Sequence, residues 1–524
     1  MREKKINIFL QARSDSHRLP FKSLLPINKI PLVVLCARRL KGKIFNVIVL
    51  TTNQKSDDYL VNILKKNKIK YFRGNLKNVY KRFLDASKNI DNNEIIIRAT
   101  ADNPFVDYLF AKNTLEVFLK NNDVYKGINH KKHNLPYGMS LEIFRKSLLS
   151  NNKKKLTKIT MEHVTDQFYK FDNQKIVKKN KLVKNFSDLS CTLDTFKDYK
   201  KLNYIFKKFK NPIKTPWIKL IYELKKYKFT KSFYLPKTKY IIGGAQIGNN
   251  YSNFKKLEIE KIYKKNTLIN NFTNIDTALN YSKSHEKISN INLKNKINII
   301  SKLNYSDINI SKNFYKENFY LNFYKILIDL NRDKLDTLLI HSYKDFKKYN
   351  HEILKIFKKL ESLKLIKKFG VSIYYPNELF FLMKNFLKLS IQFPINFIDY
   401  RWNNLNIDLL KNKSKSTLIA RSIFLRGKLL EKKGYIKDYK TNVKFLKELS
   451  NIKKEYSIKS NLELCIKYVN SLKYLDNIII GFENYDQIKQ VVKYKNKKFS
   501  TKNIIEINKQ FKFLKTKYID IMKL

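Results

Sequence analysis

The chain is 524 residues long, 43% hydrophobic, and carries a formal net charge of +64. At ~100–200 residues per domain that length calls for two or three domains, and apolar runs recurring along the whole chain argue against a disordered polypeptide. No apolar run reaches the ~18–20 residues of a membrane span, and the positive charge is mostly Lys spread over the whole length rather than Arg gathered on one face, which argues against a specific nucleic-acid binder.

Asn and Ile are inflated together with Lys, as an A/T-rich coding bias would produce. Residues 1–5 are charged and only residues 6–10 follow as an apolar stretch, too short for a signal peptide, so they read as a first strand. The three cysteines, Cys36, Cys191 and Cys465, lie far apart and match no metal-ligand spacing. They read as structural thiols of a cytoplasmic protein with no membrane partner.

After the first strand comes a polar, basic loop over residues 11–20. Residues 31–40 read as a helix, 46–52 as a buried strand, 57–66 as a helix, 69–73 as a short strand, 78–87 as a helix and 94–98 as another strand. Short apolar strands alternating with helices imply a mainly parallel sheet covered on both faces. Such a sheet binds ligands outside the carboxyl ends of its strands. The loop Q-A-R-S-D-S-H-R-L-P-F-K puts Arg13, Arg18 and Lys22 just beyond strand one, where a nucleoside triphosphate needs cations and free backbone N–H groups. Asp102 follows the 94–98 strand in A-T-A-D-N-P, and Asp194 lies in C-T-L-D-T-F-K-D. Two carboxylates facing a triphosphate suit Mg²⁺, which takes few protein ligands and keeps waters and phosphate oxygens. His17, His133 and His163 read as loop or hydrogen-bonded histidines rather than catalytic ones.

These segments, with Glu162-His163-Val164-Thr165 between them, resemble the cytidylyltransferases that make CMP-activated acidic sugars, in particular the branch containing spore-coat polysaccharide proteins. The resemblance runs in order through the whole region, residues 1–236. It implies a Rossmann-like nucleotidyltransferase sheet, with CTP and an acidic, nonulosonic-type sugar as partners. Arg13 and Lys22 would hold the triphosphate, with Arg18 beside them. Asp102 and Asp194 would hold Mg²⁺. Arg98 and the segment Tyr137-Gly138-Met139-Ser140-Leu141-Glu142 would approach the sugar. Ala101 stands where relatives carry Gly, Ser140 where they often carry Asp, and Phe21 where Gly is common.

Residues 198–235 are rich in Lys and aromatics with helical stretches, and the second domain is expected over residues 237–524. Eight apolar strand candidates follow: residues 240–247, 272–278, 297–302, 335–341, 369–374, 389–396, 418–423 and 477–482. Helices are expected between most of them, among them 352–365, 377–386 and 445–474, and a last one over 503–524. Eight βα units in this length give a (β/α)₈ TIM barrel, an α/β fold like the first domain, with its chemistry at the C-terminal strand ends. There the chain places Asp276 and Tyr281 after strand two, Lys302 after strand three and His341 after strand four.

That set resembles the tetrad of the aldo/keto reductases. Further segments carry the same resemblance: Gly243-Gly244-Ala245-Gln246-Ile247-Gly248-Asn249-Asn250-Tyr251, Gly370-Val371-Ser372, the strand containing Gln392, Ala420-Arg421-Ser422-Ile423-Phe424-Leu425-Arg426-Gly427, and Ile479-Ile480-Gly481-Phe482-Glu483-Asn484. The resemblance implies hydride transfer between a nicotinamide cofactor and a carbonyl or hydroxyl sugar substrate. Tyr281 would be the proton donor, Lys302 would lower its pKa, Asp276 would hold Lys302, and His341 would orient the carbonyl. Gln392 would hold the carboxamide, Ser422 the phosphates, and Gly481 and Glu483 would border the cofactor. A carboxylate at Glu483 repels a 2′-phosphate, so NADP and NAD both stand open. The combined expectation is a bifunctional enzyme of surface-polysaccharide precursor synthesis. Its alternative is a chain with one catalytic half and one binding or scaffolding half.

Overall fold

The computed structural model describes residues 5–151, 157–173, 175–228, 238–247, 272–291, 297–305, 314–402, 406–482 and 484–523. The chain divides into two compact units, Met1–Phe229 and Thr230–Leu524. No helix among the described residues is long and apolar enough to cross a membrane.

The first unit is built on a six-stranded sheet. Its strands, in chain order, are β1 (Ile6–Gln11), β4 (Phe45–Thr52), β5 (Lys70–Gly74), β6 (Ile95–Thr100), β7 (Tyr125–Gly127) and β8 (Glu142–Arg145). A two-stranded ribbon, β2 (Pro26–Ile27) and β3 (Ile30–Pro31), follows the first loop. The order across the sheet is β5-β4-β1-β6-β8-β7. The four strands expected from the apolar runs are parallel, while β8 runs antiparallel to both β6 and β7. The two added strands make the sheet mixed. Polar caps set the helix starts: Asn78 accepts from the Lys81 N–H, Asp107 from the Phe110 N–H, and Thr195 forms a capping box with Asp198. One face of the sheet carries a core of Phe9, Leu50, Phe83, Ile96, Tyr125, Phe144 and Phe168.

The second unit is a closed barrel of eight parallel strands. They are β9 (Tyr240–Gly243), β10 (Asn274–Asp276), β11 (Asn298–Leu303), β12 (Leu335–Ile340), β13 (Ile366–Ser372), β14 (Ser390–Pro394), β15 (Thr417–Arg421) and β16 (Asn477–Ile480), with β16 pairing back onto β9. Each expected strand has its counterpart. Two helix expectations are corrected. The 445–474 stretch is two helices, Tyr439–Glu455 and Asn461–Ser471. Ser457 takes a left-handed φ of 50° between them, and Ser460 caps the second. The last expected helix is likewise two pieces, Thr501–Gln510 and Thr516–Ile519.

Ile241, Ile300, Leu339, Ile419 and Ile479 meet inside the barrel. Side chains of a strand alternate, so the residue two positions further on points inward again, one layer nearer the mouth. That rule assigns the next layer to Gly243, Lys302, His341, Arg421 and Gly481, and all five line one cavity.

Candidate active sites

In the first unit, β1 pairs with β4 on one side and β6 on the other, and Gln11 lies level with Leu50 and Thr100. Chain connections run in opposite directions from β1, so a crevice opens outside the ends of β1 and β6. The basic loop starts there. Its root is fixed by Asp57, fully buried, which accepts from the Ser14 N–H at 2.7 Å, the Thr52 N–H at 2.9 Å and the Thr51 hydroxyl at 2.8 Å. The loop returns through a Phe21 N–H bond to the Ser14 carbonyl at 2.8 Å. Phe21 itself is left-handed, at φ 59° and ψ 22°, a conformation glycine adopts without cost. The ring is buried, which offsets that strain.

Lys22 gathers the site. Its ammonium donates to Asp102 Oδ2 at 2.9 Å, to Asp194 Oδ1 at 3.1 Å and to the Leu193 carbonyl at 2.8 Å. Arg18 Nη1 lies 2.7 Å from Asp194 Oδ2, with the Arg18 side chain 68% exposed. The loop carrying Asp194 is tied to that carrying Asp102 by a Leu193 N–H bond to the Asp102 carbonyl, 2.8 Å. Gly138 packs against the same loops. A Cβ there would lie 2.4 Å from Thr192 Oγ1, and its φ is +99°. Arg18, Lys22, Asp102 and Asp194 therefore come together. No group of three or more His, Cys, Asp and Glu side chains that could hold a metal occurs among the described residues. Two converging carboxylates still suffice for Mg²⁺ with phosphate oxygens completing its shell.

Arg13 is exposed on the same loop, its charge reaching Arg82, whose guanidinium burial pushes down to about 10. Arg98 belongs to a neighbouring cleft. It faces Glu142 across the β6–β8 pair and forms an ion pair with it, while Nη2 reaches Gln11 Oε1 at 3.3 Å. Glu142 Oε1 also accepts from the Tyr125 hydroxyl at 2.9 Å and the Thr165 hydroxyl at 2.7 Å. Ser140, Lys126, His133 and Asp172 complete this cleft. Lys126 pairs with Asp172 at 3.0 Å. The Glu162-His163-Val164-Thr165 segment earns its place here. Val164 is buried at φ 65° and ψ −53°, and the Thr165 N–H bonds the His163 carbonyl at 2.7 Å, a strained three-residue turn that aims Thr165 at Glu142. His133 is structural: Nδ1 meets the Asn129 carbonyl at 2.7 Å and Nε2 accepts from the Val177 N–H at 3.0 Å. His17 and His163 are exposed. All three thiols are buried, and burial pushes the Cys191 thiol up to about 12.

In the barrel, Lys302 is buried and its ammonium bonds Asp276 Oδ2 at 2.6 Å, Oδ1 at 2.7 Å and the Thr277 carbonyl at 3.0 Å. Burial lowers the Lys302 pKa, and the Asp276 charge opposes that. The Lys302 ammonium lies 5.3 Å from the centre of the Tyr281 ring, and that ring stands edge-on to His341 at 6.1 Å. The four tetrad residues thus converge. Burial, with the Lys302 and Arg421 charges, depresses His341 to about 3, so its imidazole is neutral over the physiological range.

Gln392 is fully buried and donates to Asp276 Oδ1 at 2.8 Å, a contact that strand patterning alone does not reveal. Its Oε1 is buried with no hydrogen-bond partner among the described residues. An unmet acceptor in the cavity fits the amide N–H₂ of a nicotinamide, and the side-chain-free positions Gly243 and Gly481 leave room for a flat ring. Ser422 and Gly481 line the cavity, while Glu483 lies outside the described residues. The cavity shares Phe424, Leu430, Gly481 and Gln487 with a second groove that adds Lys432, Lys453, Lys459, Ser460 and Asn461. Asp57, Thr165 and Arg421 were not assigned roles by the motifs. For Arg421 the usable signal was its spacing of two from Ile419 on an apolar strand.

Comparison with known proteins gives matches to both units. The cytidylyltransferase family model matches residues 8–271, and the aldo/keto reductase family model matches residues 239–512. An uncharacterized protein of Methanocaldococcus jannaschii is 33% identical over 202 residues, covering 37% of this chain and 81% of that protein. The spore coat polysaccharide biosynthesis protein SpsF of Bacillus subtilis is 27% identical over 213 residues, 39% of this chain and 87% of its own length. Among solved structures, a cytidylyltransferase from Leptospira borgpetersenii aligns at 30% identity and a TM-score of 0.37, covering 43% of this chain and 95% of its own. An aldo/keto reductase from Brucella melitensis aligns at 20% identity and a TM-score of 0.38, covering 52% and 94%.

Proposed function

The chain belongs to the cytidylyltransferase family through its first half and to the aldo/keto reductase family through its second, and from that premise we propose a bifunctional enzyme of surface-polysaccharide precursor synthesis. The first unit transfers CMP from CTP to an acidic sugar. The second reduces a sugar carbonyl, or oxidises the matching hydroxyl, with a nicotinamide cofactor. The observation that carries the reading is the tetrad itself: a buried Lys302 held by Asp276, with Tyr281 and His341 beside it at the barrel mouth.

In the first unit, Lys22 and Arg18 balance charge on the triphosphate, with Arg13 available from the same loop. Asp102 and Asp194 would hold Mg²⁺, which when bound neutralises phosphate oxygens. A sugar oxygen attacks the α-phosphorus, the bond to the bridging oxygen breaks, and pyrophosphate leaves. The cations of the loop stabilise the charge that develops there. The sugar occupies the cleft of Arg98, Ser140 and Glu142, where Arg98 is preset by Glu142 and so positions the acceptor at little entropic cost. SpsF, named for spore-coat polysaccharide biosynthesis, supports that pathway class.

In the barrel, Gln392 Oε1 and Ser422 hold the cofactor, which when bound supplies or accepts the hydride. Tyr281 gives its phenolic proton to the carbonyl oxygen. The Lys302 cation favours the phenolate left behind, and Asp276 with Gln392 keeps that cation in place. His341, neutral, orients the carbonyl by hydrogen bonding. Lys432, Lys453 and Lys459 in the adjoining groove favour a cofactor bearing a 2′-phosphate, hence NADP over NAD.

Fluorescence titration with NADPH and NADH tests the barrel reading, alongside Tyr281→Phe and Lys302→Met. All three proteins should bind NADPH, roughly tenfold more tightly than NADH, as expected for about 1.4 kcal/mol of phosphate contact. Only wild type should reduce sugar carbonyls. Lack of binding to either cofactor by wild type defeats the barrel reading. For the first unit, CTP-dependent pyrophosphate release should fall by at least 100-fold in Asp194→Asn and Lys22→Met, as for loss of a transition-state charge contact.

A further inference from the structure

Arg421 ends β15, and its Cα stands level with Pro394 of β14. Ile419, two residues earlier, points into the barrel core, so Arg421 points into the layer that also holds Lys302 and His341. Its guanidinium lies over the Tyr374 ring, 4.3 Å from the centre. Nη2 donates to the Ile373 carbonyl at 3.0 Å and Nη1 to the Ser422 hydroxyl at 3.3 Å. Every one of these partners is uncharged.

No carboxylate pairs with Arg421 among the described residues. Lys302, by contrast, has Asp276, Arg98 has Glu142, Lys126 has Asp172, and Arg401 has Asp399 and Asp520, while the buried Arg82 is held by the Asn75 and Leu76 carbonyls alone among its hydrogen bonds to the described residues. Among the described residues the cavity lining contains Lys302, Arg421 and Arg426 as cations and Asp276 as its single carboxylate, which Lys302 already uses. Arginine has five N–H donors in a planar fork, and the two bonds to Ile373 and Ser422 leave part of that fork to face the cavity. A half-buried cation without a counter-charge is costly, and an incoming anion removes that cost.

We propose that Arg421 is a specificity-determining residue that recognises a carboxylate on the carbonyl substrate, so that the reductase half acts on oxo acids in preference to neutral aldehydes and ketones. This rests on the reductase reading of the barrel. The same chemistry has a second source, the pyrophosphate of the cofactor, because Ser422 adjoins Arg421. The substrate carboxylate is favoured by position. Arg421 shares its layer with Lys302 and His341, and its charge contributes to the depressed pKa values of both, which places it at the carbonyl end of the cavity. A planar carboxylate also matches the guanidinium fork, held in place by the Tyr374 ring.

The test compares two substrates of equal chain length, succinic semialdehyde and butanal, in wild type, Arg421→Gln and Arg421→Lys, with NADPH affinity measured by fluorescence in each. Wild type should favour succinic semialdehyde, mainly through KM. Arg421→Gln should lower kcat/KM for succinic semialdehyde by on the order of 30-fold, the effect of losing a charge-assisted hydrogen bond. Butanal turnover and NADPH affinity should stay within about threefold, a margin too small for a lost charged contact. Arg421→Lys should retain part of the preference, since the charge remains and the fork does not. If wild type turns over both aldehydes without preference, the carboxylate proposal is overturned while the reductase reading stands. If Arg421→Gln weakens NADPH binding and slows both aldehydes equally, the anion is the cofactor's pyrophosphate and the proposal is again overturned. If wild type binds no cofactor and reduces neither aldehyde, the reductase reading itself fails and takes this one with it.

Discussion

Glu142 shows how much of a site can hang on one carboxylate. It accepts from Arg98, Tyr125 and Thr165, drawn from three separate segments, and the Arg98 and Glu142 side chains are only 15% and 12% exposed. Glu142→Ala leaves the guanidinium without its counter-charge and the phenol without its acceptor. Removing one partner of a buried pair costs about 3 kcal/mol or more. Thr165→Ala removes one neutral hydroxyl bond at about 1 kcal/mol. Urea unfolding followed at the first unit should rank the two in that order, and equal costs would mean that Arg98 finds another acceptor. Asp102, Asp276, Lys302 and His341 were legible as candidates in the sequence because each lies at or just past the end of an apolar strand, where the chain turns at the binding edge. Glu142 was visible only as a member of a segment, since its partners lie 17, 23 and 44 residues away. Asp57 was hidden for the same reason: nothing local marks a carboxylate whose acceptor role is to pin a loop 43 residues earlier. Arg421 was legible in principle, from alternation along β15, but a cation in an apolar strand looks like noise until the strand's inward face is known.

At the level of elements, apolar runs bounded by turns located all eight barrel strands to within a few residues, because these strands are mostly buried on both faces and each carries an Ile-, Leu- or Val-containing run. The two remaining strands of the first sheet, β7 and the antiparallel β8, were harder to see. They are short, with three and four residues, and β8 carries Glu142 and Arg145. Helix ends failed where the break is conformational rather than compositional, as at Ser457 between the helices Tyr439–Glu455 and Asn461–Ser471. Two barrel glycines illustrate how strand geometry separates folding from binding. A Cβ on Gly370 would lie 1.7 Å from the Ser390 carbonyl oxygen across the β13–β14 pair, and neither backbone can yield without breaking the ladder. A Cβ on Gly481 would meet nothing nearer than Gln246 Oε1 at 3.4 Å, an ordinary contact. Gly370→Ala should therefore abolish soluble, folded barrel. Gly481→Ala should give a barrel with wild-type circular dichroism and weakened NADPH binding, because the added methyl projects into the cavity. A soluble, fully active Gly370→Ala protein would contradict the packing described for these strands.

The whole molecule offers a way to watch its two units separately. The chain has two tryptophans, Trp217 in the first unit and Trp402 in the second, both buried. Trp217→Phe leaves a protein whose emission reports the barrel alone, and Trp402→Phe one that reports the first unit. The barrel holds two histidines whose pKa values burial depresses strongly, His341 to about 3 and His285 to about 4, both from 6.5. A histidine with a lowered folded pKa binds its proton more readily when unfolded. Between pH 6.5 and the folded value the unfolded chain therefore carries more protons, and stability must rise with pH across that window and fall as the solution is acidified. Above pH 7 neither state binds the proton and the effect vanishes. At pH 5 each histidine costs the barrel about 2 kcal/mol relative to pH 7.5, from one and a half pH units at about 1.4 kcal/mol per unit. In the Trp217→Phe background, the urea midpoint should be flat above pH 7 and drop steeply between pH 6.5 and 4.5. Adding His285→Asn should remove about half of that drop, because one of the two linked protons is gone. Among the described residues the His285 ring bonds the Ser301 hydroxyl, at 3.0 Å, so an asparagine keeps a polar group in that place while losing the titration. A midpoint that stays level to pH 4.5 would mean that both imidazoles take up their protons in the folded barrel as readily as in the unfolded chain, and the depression by burial described for them would have to be given up.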